Sequence, residues 1–134
     1  MAETVLVSTS LSDNMVKAGA QLIRRLDESN AQVSSSFWFY LSEERAWKLI
    51  IASQLVDDEG PRSFYKRIVD ANKLAIDDEK TISLNDIGVY GPTNNIVQLL
   101  RFAIHTGDGI SDVRFSRNTI NGLFIEDAHI YRST

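Results

Sequence analysis

Apolar side chains near the start of the chain recur every three to four residues, which is the repeat of an α-helix. Ser12 precedes this pattern, and its hydroxyl can accept a hydrogen bond from a free N–H group of the first turn. We therefore predict a helix from about Ser12 to Glu28. Its apolar stripe consists of Met15, Val16, Gly19, Leu22, Ile23 and Leu26.

The next segment, SSSFWFYLSEERAWKLIIASQLV, is rich in aromatic and β-branched residues and is interrupted by the polar run SEER. This composition is typical of a β-hairpin. We predict its strands at Ser35–Leu41 and Trp47–Gln54.

Turn residues divide the middle of the chain. Gly60-Pro61 favours a helix start, because proline at the first helical position gives up no needed N–H group. Gly91-Pro92 breaks the strand that precedes it. The predicted elements are a second helix from Pro61 to about Ile76, a strand within Ile82–Tyr90 that is regular from Asp86, and a third helix that is capped by Thr93 or Asn94 and ends at His105–Gly107.

The dipeptide Asn121-Gly122 is the most specific local signal in the chain, since it favours a two-residue hairpin loop with a fixed register. We predict strands at Asp112–Ile120 and Leu123–Tyr131, with Ile120 opposite Leu123. One face, the predicted core face, carries Val113, Phe115, Arg117 and Thr119 opposite Ile130, Ala128, Glu126 and Phe124.

The other face of this hairpin is polar along most of its length. His129 is a candidate acid–base group that Asp127 could orient, and Arg114 could hold an anion. Side chains two apart on one strand are about 7 Å apart, so Asp127 and His129 would need favourable rotamers to touch. The alternative is the solvent-facing half of an antiparallel sheet, which is polar in any case. The predicted ligand-binding residues are Arg114, Ser116, His129 and Tyr131.

The element order αββαβαββ contains hairpins and therefore predicts an α+β fold. We expect one domain over residues 1–134, with a mostly antiparallel five-stranded sheet and three helices packed mainly on one face. Residues 1–10 are expected to form a short strand or a flexible segment.

The first hairpin is apolar on both faces, whereas a single-layer sheet has only one core face. Its second face therefore needs a partner, which would be the N-terminal segment, another subunit or a ligand. Alternatively, helices cover one face and loops the other. The predicted interface residues are Trp38, Tyr40 and Trp47.

Composition excludes several classes of site. The formal net charge of −4 argues against a nucleic-acid-binding protein, and the absence of cysteine excludes thiolate chemistry. The only histidines, His105 and His129, lie on different elements, so we expect no metal site and no cofactor. The first ten residues lack the features of a secretory signal, and the apolar runs are too short to span a bilayer. We therefore expect a cytoplasmic protein without a membrane partner.

The run FWFYLSEERAWKLIIASQLVDDEGPRSFYKRI, together with ISLNDI and the final IYR, resembles small uncharacterised bacterial proteins of the kind encoded by mobile gene cassettes. The resemblance covers residues 12–132. It implies a bacterial cytoplasmic setting and brings no activity or site residue with it.

Three functional hypotheses follow from these patterns. The leading one is a non-enzymatic module that self-associates, as a homodimer, or binds a protein partner through the first hairpin. The second is a protein that binds a small anionic ligand on the polar face of the last hairpin. The third is a hydrolase-like enzyme that uses His129 and Asp127 as its catalytic residues. Enzymatic activity is thus left open, with a binding function favoured.

Overall fold

A computed structural model describes residues 10–76 and 79–134 of the chain. The expectation for residues 1–10 lies almost wholly outside the described part, which begins at Ser10. Within that part the α-helices are α1 (Asp13–Glu28), α2 (Gln54–Glu59), α3 (Pro61–Asn72) and α4 (Asn95–Ala103), with a short 3-10 helix at Leu84–Asp86. The strands are β1 (Val33–Leu41), β2 (Ala46–Ser53), β3 (Ile87–Tyr90), β4 (Val113–Ile120) and β5 (Leu123–Ser133).

The five strands form one sheet in the order β3-β2-β1-β5-β4. Every neighbouring pair is antiparallel except β2 and β3, which are parallel. A parallel pair needs a crossover connection, and α2 and α3 supply it. The predicted α+β class with a mostly antiparallel five-stranded sheet is thus confirmed.

Helices cover both faces of the sheet. On one face α1 and α3 pack against a core that includes Trp38 and Leu49. On the other face α4 packs against a core that includes Phe37 and Ile50. Three of the four described α-helices lie on one face, since α2 also packs there through Val56, which agrees with the expectation that the helices lie mainly on one face. The fourth, α4, covers the opposite face, because the central strands are apolar on both sides and each side needs its own cover.

A short helix that was not predicted, α2, precedes the helix that was predicted from Pro61. Ser53 Oγ accepts a hydrogen bond from the N–H of Leu55 at 3.1 Å and so starts α2 where a strand end was expected. Gly60, with a φ of 89°, separates α2 from α3. The latter ends at Asn72 rather than near Ile76, whose side chain is 71% exposed.

The register predicted for the last hairpin is confirmed from Val113–Ile130 to Ile120–Leu123. The pattern of burial, however, departs from the prediction midway along the hairpin. Arg117 has a φ of 48° and does not take part in the ladder. Beyond it Ile125 is buried in the core under α4, whereas Phe124 is 59% exposed. The prediction that Phe124 faces the core is therefore wrong: its neighbour Ile125 is the buried residue, and the ladder between the two strands is interrupted at Arg117.

The face of the sheet under α1 is closed by a contact between Gly19 and two buried aromatic side chains. The hydroxyl of Tyr131 accepts a hydrogen bond from Nε1 of Trp38 at 3.0 Å and donates one to the carbonyl of Val16 at 2.5 Å. Burial raises the pKa of the Tyr131 hydroxyl well above its ordinary value, which keeps the donor protonated. Because this contact includes the backbone of α1, it fixes the helix on the sheet.

Replacing Gly19 with alanine tests this contact. A Cβ atom there would overlap the Tyr131 hydroxyl and lie 2.9 Å from Nε1 of Trp38. We expect Gly19→Ala to lower the free energy of unfolding by roughly 1–3 kcal/mol in urea titrations, as overpacking of a core does. Gly107→Ala is the matched control, because nothing lies within 4 Å of that position. Equal stability of the two variants would contradict the account.

Candidate functional site

His129 and Asp127 lie on one face of β5 but do not form a pair. Asp127 accepts two hydrogen bonds of 2.6 Å from Arg114 and one of 2.7 Å from Ser116. Burial by itself raises the pKa of the Asp127 carboxyl, but the hydrogen bonds from Arg114 and Ser116 outweigh it and leave the pKa below its ordinary value. The carboxylate is therefore committed to Arg114 and does not orient His129.

His129 is buried, with 6% of its surface exposed, and its ring packs edge-on against Tyr131 with 5.3 Å between the centroids. Its Nε2 atom lies 2.9 Å from Oδ1 of Asp112, without the alignment of a hydrogen bond. Burial lowers the pKa of His129 below its ordinary value; Asp112 opposes this effect and Arg114 adds to it. The imidazole is thus neutral at pH 7 and shielded from solvent.

The predicted ligand-binding residues do not share one surface. Arg114 and Ser116 are exposed on the edge strand β4, whereas His129 and Tyr131 are buried. The reason is that α1 covers the part of this face that carries Tyr131. The predicted face of the last hairpin is therefore exposed only in part, because its other part lies beneath α1.

The predicted interface residues are also divided. Trp38 is 1% exposed and lies in the core, because α1 packs over it, so it offers no surface to a partner. Tyr40 is half-buried, and its ring centroid lies 5.3 Å from that of the buried Trp47. The guanidinium carbon of Arg114 lies 5.6 Å from the centroid of the Trp47 ring, a cation–π arrangement.

A gap opens where the two hairpins diverge. The β1–β5 ladder ends at the pair Phe39–Ala128, although β1 continues to Leu41 and β5 begins at Leu123. We call the gap between these strand ends the hairpin cleft. It is bridged by a hydrogen bond of 2.9 Å from Ser42 Oγ to Glu126 Oε1.

The cleft has a concavity on each face of the sheet. The polar side, on the face of α1, has a volume of about 380 Å³. The apolar side, on the face of α4, has a volume of about 320 Å³. Tyr40 and Glu126 line both concavities, which therefore meet at the cleft. The polar side is completed by Trp47, Ser116, Arg117 and Asp127.

Apolar side chains dominate the wall of the second concavity. Phe124 is 59% exposed and Leu123 is 40% exposed, while Phe39, Leu41 and Ile96 are half-buried. Large exposed apolar groups that adjoin one another mark binding surfaces more often than isolated ones do.

Three exposed carboxylates lie at the rim of this apolar side. Glu43 and Glu44 belong to the turn between β1 and β2, and Glu126 comes from β5. No basic residue lines the concavity among the described residues that form it. A ligand of this surface therefore meets negative charge around an apolar centre.

The sequence contained one signal for this surface. Arg117 and Glu126 interrupt the apolar face that strict alternation predicts for the last hairpin. A charged pair in the middle of such a face indicates that the strands turn away from the core there. Glu126 is accordingly exposed and accepts a hydrogen bond from Ser42 instead of lying opposite Arg117 in a core face.

Comparisons with known proteins do not add a family to this description: no family model, curated protein or solved structure matches the chain. In residues 10–76 and 79–134, no group of three or more histidine, aspartate or glutamate side chains is arranged to hold a metal ion. Among the helices of these same residues, none is both long and apolar enough to cross a membrane.

The burial of His129 predicts a specific dependence of stability on pH. The folded state disfavours the protonated imidazole, so the unfolded chain binds more protons once the pH falls below the ordinary pKa of 6.5. We expect the free energy of unfolding to decline as the pH drops below about 6.5, and we expect His129→Gln to remove this decline.

The matched control is His105→Gln, because His105 is the other histidine and is exposed. Urea titrations between neutral and mildly acidic pH measure the effect. If the decline persists in His129→Gln, or disappears in His105→Gln, the buried imidazole is not its cause.

Proposed function

We propose that this protein is a partner-binding module and that a protein partner binds in the hairpin cleft. The observation that carries the proposal is the apolar side of the cleft, where Leu123 and Phe124 are 40% and 59% exposed. Burying one such aromatic side chain in an interface contributes about 1.5–3 kcal/mol to binding. The energy of protein interfaces is concentrated in a few well-packed residues that fill concave, desolvated sites, and Phe124 is placed to act in this way.

The rim defines the chemistry of the partner. Glu43, Glu44 and Glu126 surround the apolar side of the cleft with negative charge. A complementary segment carries apolar side chains flanked by lysine or arginine, since opposite charges favour encounter and like charges disfavour wrong partners.

The negative charge of the rim also favours a different protein over a second copy of this chain as the partner in the cleft. A two-fold contact between copies places the same patch against itself, so the three rim carboxylates of each copy would face one another. A homodimer through the cleft is therefore disfavoured. Self-association through the first hairpin loses its original support as well, because Trp38 is in the core.

The two remaining hypotheses have less support. The polar side of the cleft, at about 380 Å³, is large enough for a small molecule. An anionic ligand, however, would compete with Asp127 for Arg114. The hydrolase hypothesis gains no support from the arrangement, because Asp127 binds Arg114 and Ser116 rather than His129.

Selection from a random peptide library displayed on phage tests the proposal. We expect the protein to enrich sequences with apolar residues flanked by lysine or arginine. In fluorescence anisotropy with a selected peptide, Phe124→Ser should raise the Kd roughly 30-fold, corresponding to about 2 kcal/mol of lost apolar contact. The stability of the variant should be unchanged, because Phe124 is exposed.

Phe102→Ser is the matched control. Phe102 is 71% exposed on α4 and lies outside the cleft. We expect its substitution to leave the Kd unchanged. Failure to enrich such sequences, or equal weakening by Phe102→Ser and Phe124→Ser, would refute binding in the cleft.

A further inference from the structure

We infer that the partner segment binds as an extended β-strand laid into the hairpin cleft along Leu123–Asp127 of β5. This inference rests on the proposed function and adds the conformation and residue pattern of the partner. The protein would then bind extended peptide segments in which apolar and polar side chains alternate.

The first argument is the pairing of the strands. Residues Leu123–Asp127 of β5 pair with β4, but the β1–β5 ladder stops before it reaches them. On the facing side, Tyr40 and Leu41 pair with β2 and not with β5. Each of these segments is thus paired along one side only, and its other side borders the cleft. Such an edge is the site at which an extended peptide adds to a sheet.

The second argument is the difference between the two sides of the cleft. Successive side chains of a strand point to opposite faces of the sheet. A strand in the cleft would send one set of side chains toward Phe39 and Phe124 and the other set toward Ser116 and Asp127. One set meets an apolar wall and the other a polar wall, so the matching sequence alternates apolar and polar residues.

The third argument concerns the ends of the segment. Glu43 and Glu44 lie at the turn that borders the cleft, where a terminal lysine or arginine would meet them. The bridge from Ser42 to Glu126 crosses the path of the segment. Both of its side chains are exposed, so water or the segment itself can replace the bond at small cost.

A pair of synthetic peptides separates strand addition from docking by side chains alone. The first is a fluorescein-labelled peptide of sequence lysine-valine-threonine-phenylalanine-threonine-valine-lysine. The second has the same side chains and charge, but the backbone nitrogens of its valine and phenylalanine residues are methylated. Methylation removes the N–H groups that a strand needs for pairing. Binding is measured by fluorescence anisotropy on the full chain.

We expect the unmethylated peptide to bind and Phe124→Ser to weaken it, with Phe102→Ser as control. The methylated peptide should bind about ten-fold more weakly or worse, because each lost backbone hydrogen bond removes affinity. In hydrogen-exchange NMR, the unmethylated peptide should slow exchange of amides within Leu123–Asp127.

Three results would overturn strand addition. Equal binding of the two peptides, with both weakened by Phe124→Ser, would leave the cleft as a docking site but remove the strand. Binding that Phe124→Ser does not affect would place the peptide elsewhere. If neither peptide binds, strand addition is also refuted. The proposed function is then still tested independently by the phage selection.

Discussion

The central hairpin, formed by β1 and β2, is apolar on both faces, so each face must be covered by a helix. Trp38 is buried under α1 on one face, and Phe37 is buried under α4 on the other. The close contact of Gly19 with Tyr131 and Trp38 sets how near α1 lies to the sheet. Both covers end before the hairpin does, which leaves Tyr40 and Leu41 at a partly exposed tip. The hairpin cleft is the region that this arrangement does not close.

Local signals in the sequence predicted the local structure well. Ser12 caps α1 by accepting a hydrogen bond from the N–H of Met15, and Asn121-Gly122 set the register of the last hairpin. The placement of α4 was not predictable in this way. Periodicity identifies the stripe that contains Val97 and Leu100, but it does not say which face of the sheet the stripe will cover. That choice depends on the whole chain.

The candidate site was harder to predict than the fold, for a physical reason. Its aromatic residue Phe124 is 59% exposed, whereas strict alternation places it in the core, and alternation cannot anticipate that the ladder is interrupted at Arg117. The gap beside it depends on where β1 and β5 cease to pair, after Phe39 and Ala128. These strands are distant in sequence, so no local pattern contains that information.

Two groups of charges around the cleft have different consequences. Arg114 and Asp127 neutralise each other, and Arg114 also lies over the ring of Trp47. This group is satisfied within the protein, so it shapes the polar wall and holds it rigid. The rim group of Glu43, Glu44 and Glu126 is exposed to solvent beside the apolar wall. Exposed charges of this kind act mainly on encounter and selectivity, whereas the apolar wall supplies affinity. In a complex with a partner strand, Phe124 would therefore supply affinity and the carboxylates would supply selectivity. Raising the ionic strength would then slow association of the strand more than it would speed its dissociation.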